Sequence, residues 1–230
     1  MPDLDKAWEQ IKDKLPLFVA TARKHGAVDV VPTSQSLILK ELSPESSGWC
    51  YGLSMAYIIG ISRGESPAIV IGNGYQTAGL QKGGADADKV RIGQWTGSIR
   101  NLQSHQHAKY QCEEDSERVG LRLKDWDVEF SDRFYRFTKV ATALIGLGTG
   151  FSLVNSPNHS MAATAAPGNF GFYDPNFGAV TFRTAQEFIR FFVEWFDNGF
   201  IQRSYKGVTG GLRNAPPASS LVIKLRTWTR

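Results

Sequence analysis

The chain has 230 residues, 42% of them hydrophobic, and 26 basic against 22 acidic side chains give a net charge of +4. That length and apolar content suffice for a buried core in one domain or two lobes, and no internal repeat or long low-complexity segment interrupts it. Two cysteines exclude a disulfide framework, and no apolar run approaches the length of a membrane span.

The start, Met1-Pro2-Asp3-Leu4-Asp5, lacks an apolar signal region and reads as that of a soluble protein, although a type III or type VI export signal is not legible by such rules. Asp3 can cap a first helix with Leu4, Trp8, Ile11 and Leu15 on one face. Pro16 interrupts or restarts it before a second segment that ends at Gly26. His25 follows Arg23-Lys24 as a cation at that helix C-terminus. A central helix opens at Cys50, with Ser46 or Ser47 able to cap it and Cys50, Leu53, Tyr57 and Gly60 recurring at helical spacing.

Residues 64–98 are Gly-rich and broken, with Ala68-Ile69-Val70-Ile71 as a short strand, and 99–112 are expected to be helical. Asp86 and Asp88 lack the further oxygen ligands and closing Glu of a calcium loop. His105, His107 and Cys112 lack a second ligand pair for zinc, so no metal is expected. Cys112 lies beside Glu113, Glu114 and Asp115, which would raise its pKa and blunt its reactivity. From Val128 onward, Phe130, Phe134, Phe137 and the run 140–147 read as strands separated by Gly-rich turns.

The next segment brings two chemical groups together. Ala165-Ala166-Pro167-Gly168 is a turn-forming cluster, and with Thr164 paired to Asn169 the hairpin register places His159 opposite Asp174. Directly opposed residues share one face, with Cβ atoms about 4.5–5.5 Å apart. An Asp there accepts a hydrogen bond from one imidazole nitrogen and leaves the other for a thiol. Cys50, in the first turn of its helix, meets free N–H groups and the positive end of the dipole, which favour the thiolate. In the order Cys50, His159, Asp174 the three read as a nucleophile, a base and its orienting carboxylate.

Beyond the hairpin, 180–182 continue the sheet, and Thr184-Ala185-Gln186-Glu187 forms a capping box that starts a helix. Phe188, Phe191, Phe192, Trp195 and Phe196 make an aromatic core stripe along it, stopped by Asn198-Gly199. Ala215-Pro216-Pro217-Ala218 is a brief linker-like turn, and 221–223 supply a last strand. Arg203, Lys206, Arg213, Lys224, Arg226 and Arg230 enrich the C-terminal end and read as a solvated face rather than a membrane patch. The sequence pI near 9.1 permits attraction to acidic proteins or anionic membrane, while nucleic-acid binding has no motif behind it.

The run Gly48-Trp49-Cys50-Tyr51-Gly52-Leu53-Ser54, the pair Asn158-His159, the run Asp174-Pro175-Asn176-Phe177-Gly178 and the aromatic helix after it resemble the YopT-type cysteine proteases, bacterial effectors delivered into host cells and built on the papain-like fold. The resemblance implies an α+β fold, with an N-terminal helical lobe whose nucleophile helix packs on an antiparallel β-sheet lobe. It implies one domain over 1–230, in which 1–45 hold secretion or docking helices, 46–112 the nucleophile lobe, and 113–230 the sheet lobe with His159 and Asp174. Papain-like enzymes commonly place an Asn or Gln just before the cysteine to bind the oxyanion, yet residues 45–49 offer no amide. Gln35, the only side-chain amide between residues 11 and 49, is then the candidate beside the Cys50 N–H.

The implied activity is that of a thiol protease without cofactor or metal. Cys50 would attack, His159 would act as base and then acid, and Asp174 would orient His159. The implied substrate is a host signalling protein, such as a lipidated small GTPase or a membrane-associated kinase, met in the host cytosol or at the inner face of a host membrane after secretion by a non-classical route. Two other readings use the same fold: a glutamine deamidase or transglutaminase with the same triad, and a catalytically inactive binding module.

Overall fold

Among the described residues, seven strands form one antiparallel sheet in the order β1-β6-β5-β4-β3-β7-β2. These are β1 (Asp29–Pro32), β2 (Arg122–Phe130), β3 (Gly150–Ser156), β4 (His159–Ala166), β5 (Asn169–Asp174), β6 (Gly178–Phe182) and β7 (Ile223–Thr229). The computed structural model describes residues 9–36, 39, 48–66, 98–106, 109–131, 135–205 and 221–230. The expected features at Asp3, Leu4 and Trp8, the Ser46 or Ser47 cap, the 68–71 strand, Asp86 and Asp88, His107, Phe134, Lys206, Arg213 and the 215–218 turn lie outside them.

Side chains alternate across the sheet, as a strand period of two requires. Val154, Met161, Ala163, Phe172 and Val180 enter one buried cluster, and Leu153, Ala162, Tyr173 and Ala179 enter the other. Helices α1 (Leu15–Lys24), α4 (Arg136–Ile145), α5 (Ala185–Asp197) and α6 (Gly199–Tyr205) feed the first cluster, and α2 (Cys50–Ser62) and α3 (Lys109–Glu117) feed the second. The architecture is α+β, N-terminal helices packed against a multi-stranded antiparallel sheet, consistent with a papain-like fold.

Local chemistry explains the elements. Pro16 occupies the first turn of α1, where its missing N–H costs nothing, and Arg23 and Lys24 occupy the last turn. His25 follows as the C-cap and its Nε2 lies 2.7 Å from Glu194 of α5. The capping box of α5 forms as the sequence reads: Thr184 Oγ1 accepts from Glu187 N at 3.2 Å, and Glu187 Oε2 accepts from Thr184 N at 3.0 Å. The α5 stripe of Phe188, Phe191, Phe192, Trp195 and Phe196 is fully buried. Phe172 of β5 packs edge-on against Phe192 and Phe196. In α2, by contrast, burial runs all the way round, because sheet and residues 98–102 enclose it.

Five expectations need correction. The hairpin turn is Pro167-Gly168 alone, so Ala166 pairs with Asn169 and Thr164 with Gly171. Proline fixes a negative φ and Gly168 adopts φ 74°, which suits a two-residue connection and moves the register by two positions. Two is the strand period, so His159 and Asp174 still share a face. Second, 136–145 is helix rather than strand, because Phe137, Val140, Ala141 and Leu144 bury a stripe at helical spacing. Third, the last strand begins at Ile223 and inserts between β3 and β2. Fourth, Arg226 is not part of a solvated face: it is only 4% exposed. The expected helix at 99–112 is divided, with 98–104 helical and α3 following after a turn at 105–106.

Candidate functional site

The start of β4, the end of β5 and the start of α2 meet at one end of the sheet. His159 is the first residue of β4 and Asp174 the last of β5. Ser54, one turn into α2, donates its hydroxyl to the Ser160 carbonyl at 3.0 Å and fixes the helix against β4. His159 Nε2 lies 2.8 Å from Asp174 Oδ1. A carboxylate accepts only, so Nε2 carries the proton and Nδ1 is the nitrogen left to the neighbouring Cys50 thiol.

Both groups of the His159 and Asp174 pair are buried, whereas Cys50 keeps partial access to solvent. Burial pushes the Cys50 thiol up, but hydrogen bonding to His159, the charge of that ring and the backbones of Ser160 and Tyr51 outweigh it and hold the thiol below its ordinary value. For His159, burial works to lower the pKa, while the Asp174 charge and hydrogen bond and the Cys50 thiolate push it up to about 10. The two shifts favour a thiolate beside an imidazolium.

Asp174 receives three donors. Besides His159, the Asn176 N–H reaches Oδ1 at 2.9 Å and the Tyr205 hydroxyl reaches Oδ2 at 2.6 Å. The Tyr205 ring also stacks on the His159 ring, with centroids 4.5 Å apart and planes 24° apart. Sequence reasoning missed Tyr205, since it lies in α6, far from the motif it serves. No local pattern marks it.

Gln35 arrives by a route the sequence did not suggest. β1 pairs with β6, and its continuation runs along the 175–177 turn, with Thr33 N on the Phe177 carbonyl at 3.2 Å and Gln35 N on the Pro175 carbonyl at 2.6 Å. Gly178 permits this approach: its φ is 121°, and a Cβ there would collide with the Val31 carbonyl. The Gln35 side chain then joins both halves of the site. Its Oε1 accepts from Trp49 N at 3.2 Å, and its Nε2 donates to Asn176 Oδ1 at 2.8 Å, which among the described residues leaves the second Nε2 hydrogen available. Gln35 therefore lies one residue from Cys50 in contact terms, although fifteen away in the chain.

Cys112 stands apart. It is buried, and burial is the main reason its thiol lies above the ordinary value; Asp115 adds to the rise, while Tyr51 and Arg226 oppose it. His105 pairs with Asp115, Nδ1 to Oδ2 at 2.6 Å. Among the described residues no group of three or more His, Cys, Asp or Glu side chains converges to hold a metal, and no helix is long and apolar enough to cross a membrane. A cavity of about 370 Å³ opens beside the site, lined among others by Tyr51, Ser160, Asn155, Ser156, Lys224 and Arg226. Tyr51 and Ser160 are the chain neighbours of Cys50 and His159.

Residues 147–213 match the peptidase family described as Yersinia/Haemophilus virulence surface antigen. The match covers less than half of the chain; it includes His159, Asp174, Asn176 and Tyr205 but not Gln35 or Cys50. No curated protein matches the chain by sequence. Solved structures similar to the chain include three at low identity. A cysteine protease-like domain of the Photorhabdus asymbiotica toxin PaTox has a TM-score of 0.47 and 18% identity, over 96% of this chain and 60% of that one. The Pseudomonas avirulence protein AvrPphB has a TM-score of 0.46 and 13% identity, over 80% and 92%. A murine cytomegalovirus tegument ubiquitin-specific protease, solved with a ubiquitin-based suicide substrate, has 0.46 and 11%, over 88% and 87%. This chain thus spans 60% of the toxin domain.

Proposed function

We propose that the chain is a single papain-like domain that acts as a thiol protease through Cys50, His159 and Asp174. The observation that carries this reading is the buried His159 Nε2–Asp174 Oδ1 hydrogen bond of 2.8 Å, with the Cys50 thiol near enough to the ring for its pKa to be held down. The Cys50 sulfur attacks a peptide carbonyl carbon while the His159 proton, held on Nδ1, is the one delivered to the leaving amine. The C–N bond breaks and a thioester remains. His159 then takes a proton from water, the hydroxide attacks the thioester, and the acid product and the Cys50 thiol are released. The Cys50 N–H and the second hydrogen of Gln35 Nε2 serve the oxyanion. The cavity beside Tyr51 and Ser160, with Asn155, Ser156 and Lys224 in its wall, receives a polar substrate side chain.

The partial match to a virulence-associated peptidase family supports delivery to a host cell, where a signalling protein, soluble or at the inner face of a membrane, is the substrate. The test exposes a host-cell lysate to the protein and to Cys50→Ala, and reads new peptide termini by mass spectrometry. New termini that need Cys50 support proteolysis. One-dalton gains or amine adducts at glutamine without new termini would replace it with deamidation or transglutamination, and no covalent change with equal partner capture by Cys50→Ala would leave a binding module.

A further inference from the structure

Asp174 is fully buried, and its two oxygens are held by different parts of the chain. Oδ1 accepts from His159 Nε2 and from Asn176 N. Oδ2 accepts from the Tyr205 hydroxyl at 2.6 Å, within the range of a charge-assisted O–H···O⁻ bond. The phenol oxygen in turn accepts from Asn176 Nδ2 at 3.4 Å, so its hydrogen is committed to Asp174. The same residue covers the imidazole: its ring stacks on the His159 ring at 4.5 Å with the planes 24° apart, and is itself only 3% exposed.

We propose that Tyr205 is a positioning residue of the thiol site, locking the Asp174 carboxylate through Oδ2 and the plane of His159 by stacking, so that the imidazole presents Nδ1 to Cys50. The assignment rests on the thiol-protease reading above. A carboxylate anchored at one oxygen alone can turn about its Cα–Cβ and Cβ–Cγ bonds; anchored at both, it keeps Oδ1 in the ring plane of His159. The stacked phenol also keeps water from the Nε2 to Oδ1 bond, which raises the strength of that bond in its low-dielectric surroundings. Burial and the Asp174 charge hold the Tyr205 hydroxyl protonated well beyond the ordinary tyrosine value, so it remains a donor at every pH at which the site works. Among the described residues, the titratable groups against the ring are Cys50 of α2, Asp174 of β5 and Tyr205 of α6.

The experiment measures the pH dependence of iodoacetamide labelling at Cys50 in the wild-type chain, His159→Ala, Tyr205→Phe, Tyr205→Leu, Asp174→Asn and the double variant Asp174→Asn/Tyr205→Phe, with the melting temperature of each. Tyr205→Phe keeps the ring and loses the hydroxyl. Its labelling rate at about pH 6 is expected to fall about tenfold, the equivalent of one unit in the thiol midpoint, and Tyr205→Leu is expected to fall further. In the Asp174→Asn background, Tyr205→Phe is expected to add nothing, because its partner is already changed. A merely structural tyrosine would lower the melting temperature and leave the labelling midpoint of the folded protein where it was. That result, with wild-type labelling still fast at low pH and lost in His159→Ala, overturns the Tyr205 assignment alone. An ordinary thiol titration in the wild-type chain overturns the thiol-protease reading and the Tyr205 assignment with it.

Discussion

At Cys50 two forces oppose each other, and the balance decides what the sulfur can do. Burial disfavours its anion; the imidazole of His159, held by Asp174, favours it and prevails. The other cysteine provides an internal comparison, since Cys112 has burial without a cationic imidazole and lies above the ordinary thiol value. Well below its pKa a thiol gains about tenfold in thiolate for each unit that the pKa drops. At about pH 6.5, Cys50 is therefore expected to alkylate at least about tenfold faster than Cys112, and His159→Ala to abolish the difference in thiolate content. The sign for stability follows from the imidazole: its folded value is raised to about 10 from about 6.5, so its contribution is full below about pH 6.5 and is lost as pH rises towards 10. Site-resolved mass spectrometry and urea unfolding across that range check both. Equal labelling of the two cysteines would remove the ion pair. That His159 and Asp174 would meet was legible in the sequence from the turn between their strands, and a two-position error in the hairpin register left them on one face. Tyr205 and the path of Gln35 were not legible, since each reaches the site from a distant segment.

Elements were readable where one local pattern dominates. The capping box at Thr184 and the aromatic spacing of α5 agree with each other, and both survive in the structure. Helix α4 was misread because Phe137 and Val140 favour strands by type, although Ala141 and Leu144 favour helix and all four recur at helical spacing; that period decides the outcome. Helix α2 shows the reverse situation, a sequence rich in small residues whose reason lies in the neighbour. A glycine inside a helix ordinarily costs about 1 kcal/mol against alanine. At Gly52, however, a Cβ would collide with the Ile99 carbonyl and crowd Ile99 Cγ2 at 3.1 Å, and Gly52 N donates to Gln103 Oε1 at 2.9 Å. Gly52→Ala is therefore expected to destabilise the fold by about 1–3 kcal/mol, the usual range for overpacking, and to slow labelling of Cys50 by shifting the first turn of α2. Urea unfolding measures the first effect. Stabilisation by the alanine would show that residues 98–104 do not press on the helix as described.

The molecule as a whole is joined by contacts that no local pattern announces. Consecutive strands β3 to β6 are neighbours and could be read from their turns, but β1 pairs with β6 and β7 enters between β3 and β2. Arg226 shows what this insertion achieves. In β2 the register shifts between Asp125 and Val128, and Asp127 adopts φ 55°, so the bulge turns Trp126 and Asp127 towards β7. The Arg226 guanidinium lies over the Trp126 ring, 3.5 Å from its centroid, and pairs with Asp127 through Nε at 2.9 Å and Nη2 at 3.2 Å. Its Nη1 reaches the Tyr51 hydroxyl at 3.4 Å and the Gln106 carbonyl at 3.3 Å. One cation thus ties β7 and the β2 bulge to the helix that begins with Cys50. Removing one partner of a buried pair costs about 3–5 kcal/mol, and since the Asp127 side chain is 28% exposed the lower end applies here, about 3 kcal/mol for Arg226→Met. Arg226→Lys is expected to recover only part of that loss, because an ammonium keeps the charge but neither forks onto a carboxylate nor stacks flat on an indole. Arg226→Met with Asp127→Leu is expected to regain most of it, since the stranded carboxylate is gone. Urea unfolding of the wild-type chain, Arg226→Met, Asp127→Leu and the double variant as a double-mutant cycle, with Arg226→Lys beside them, decides the matter: a loss below about 0.5 kcal/mol for Arg226→Met would make this an ordinary surface pair.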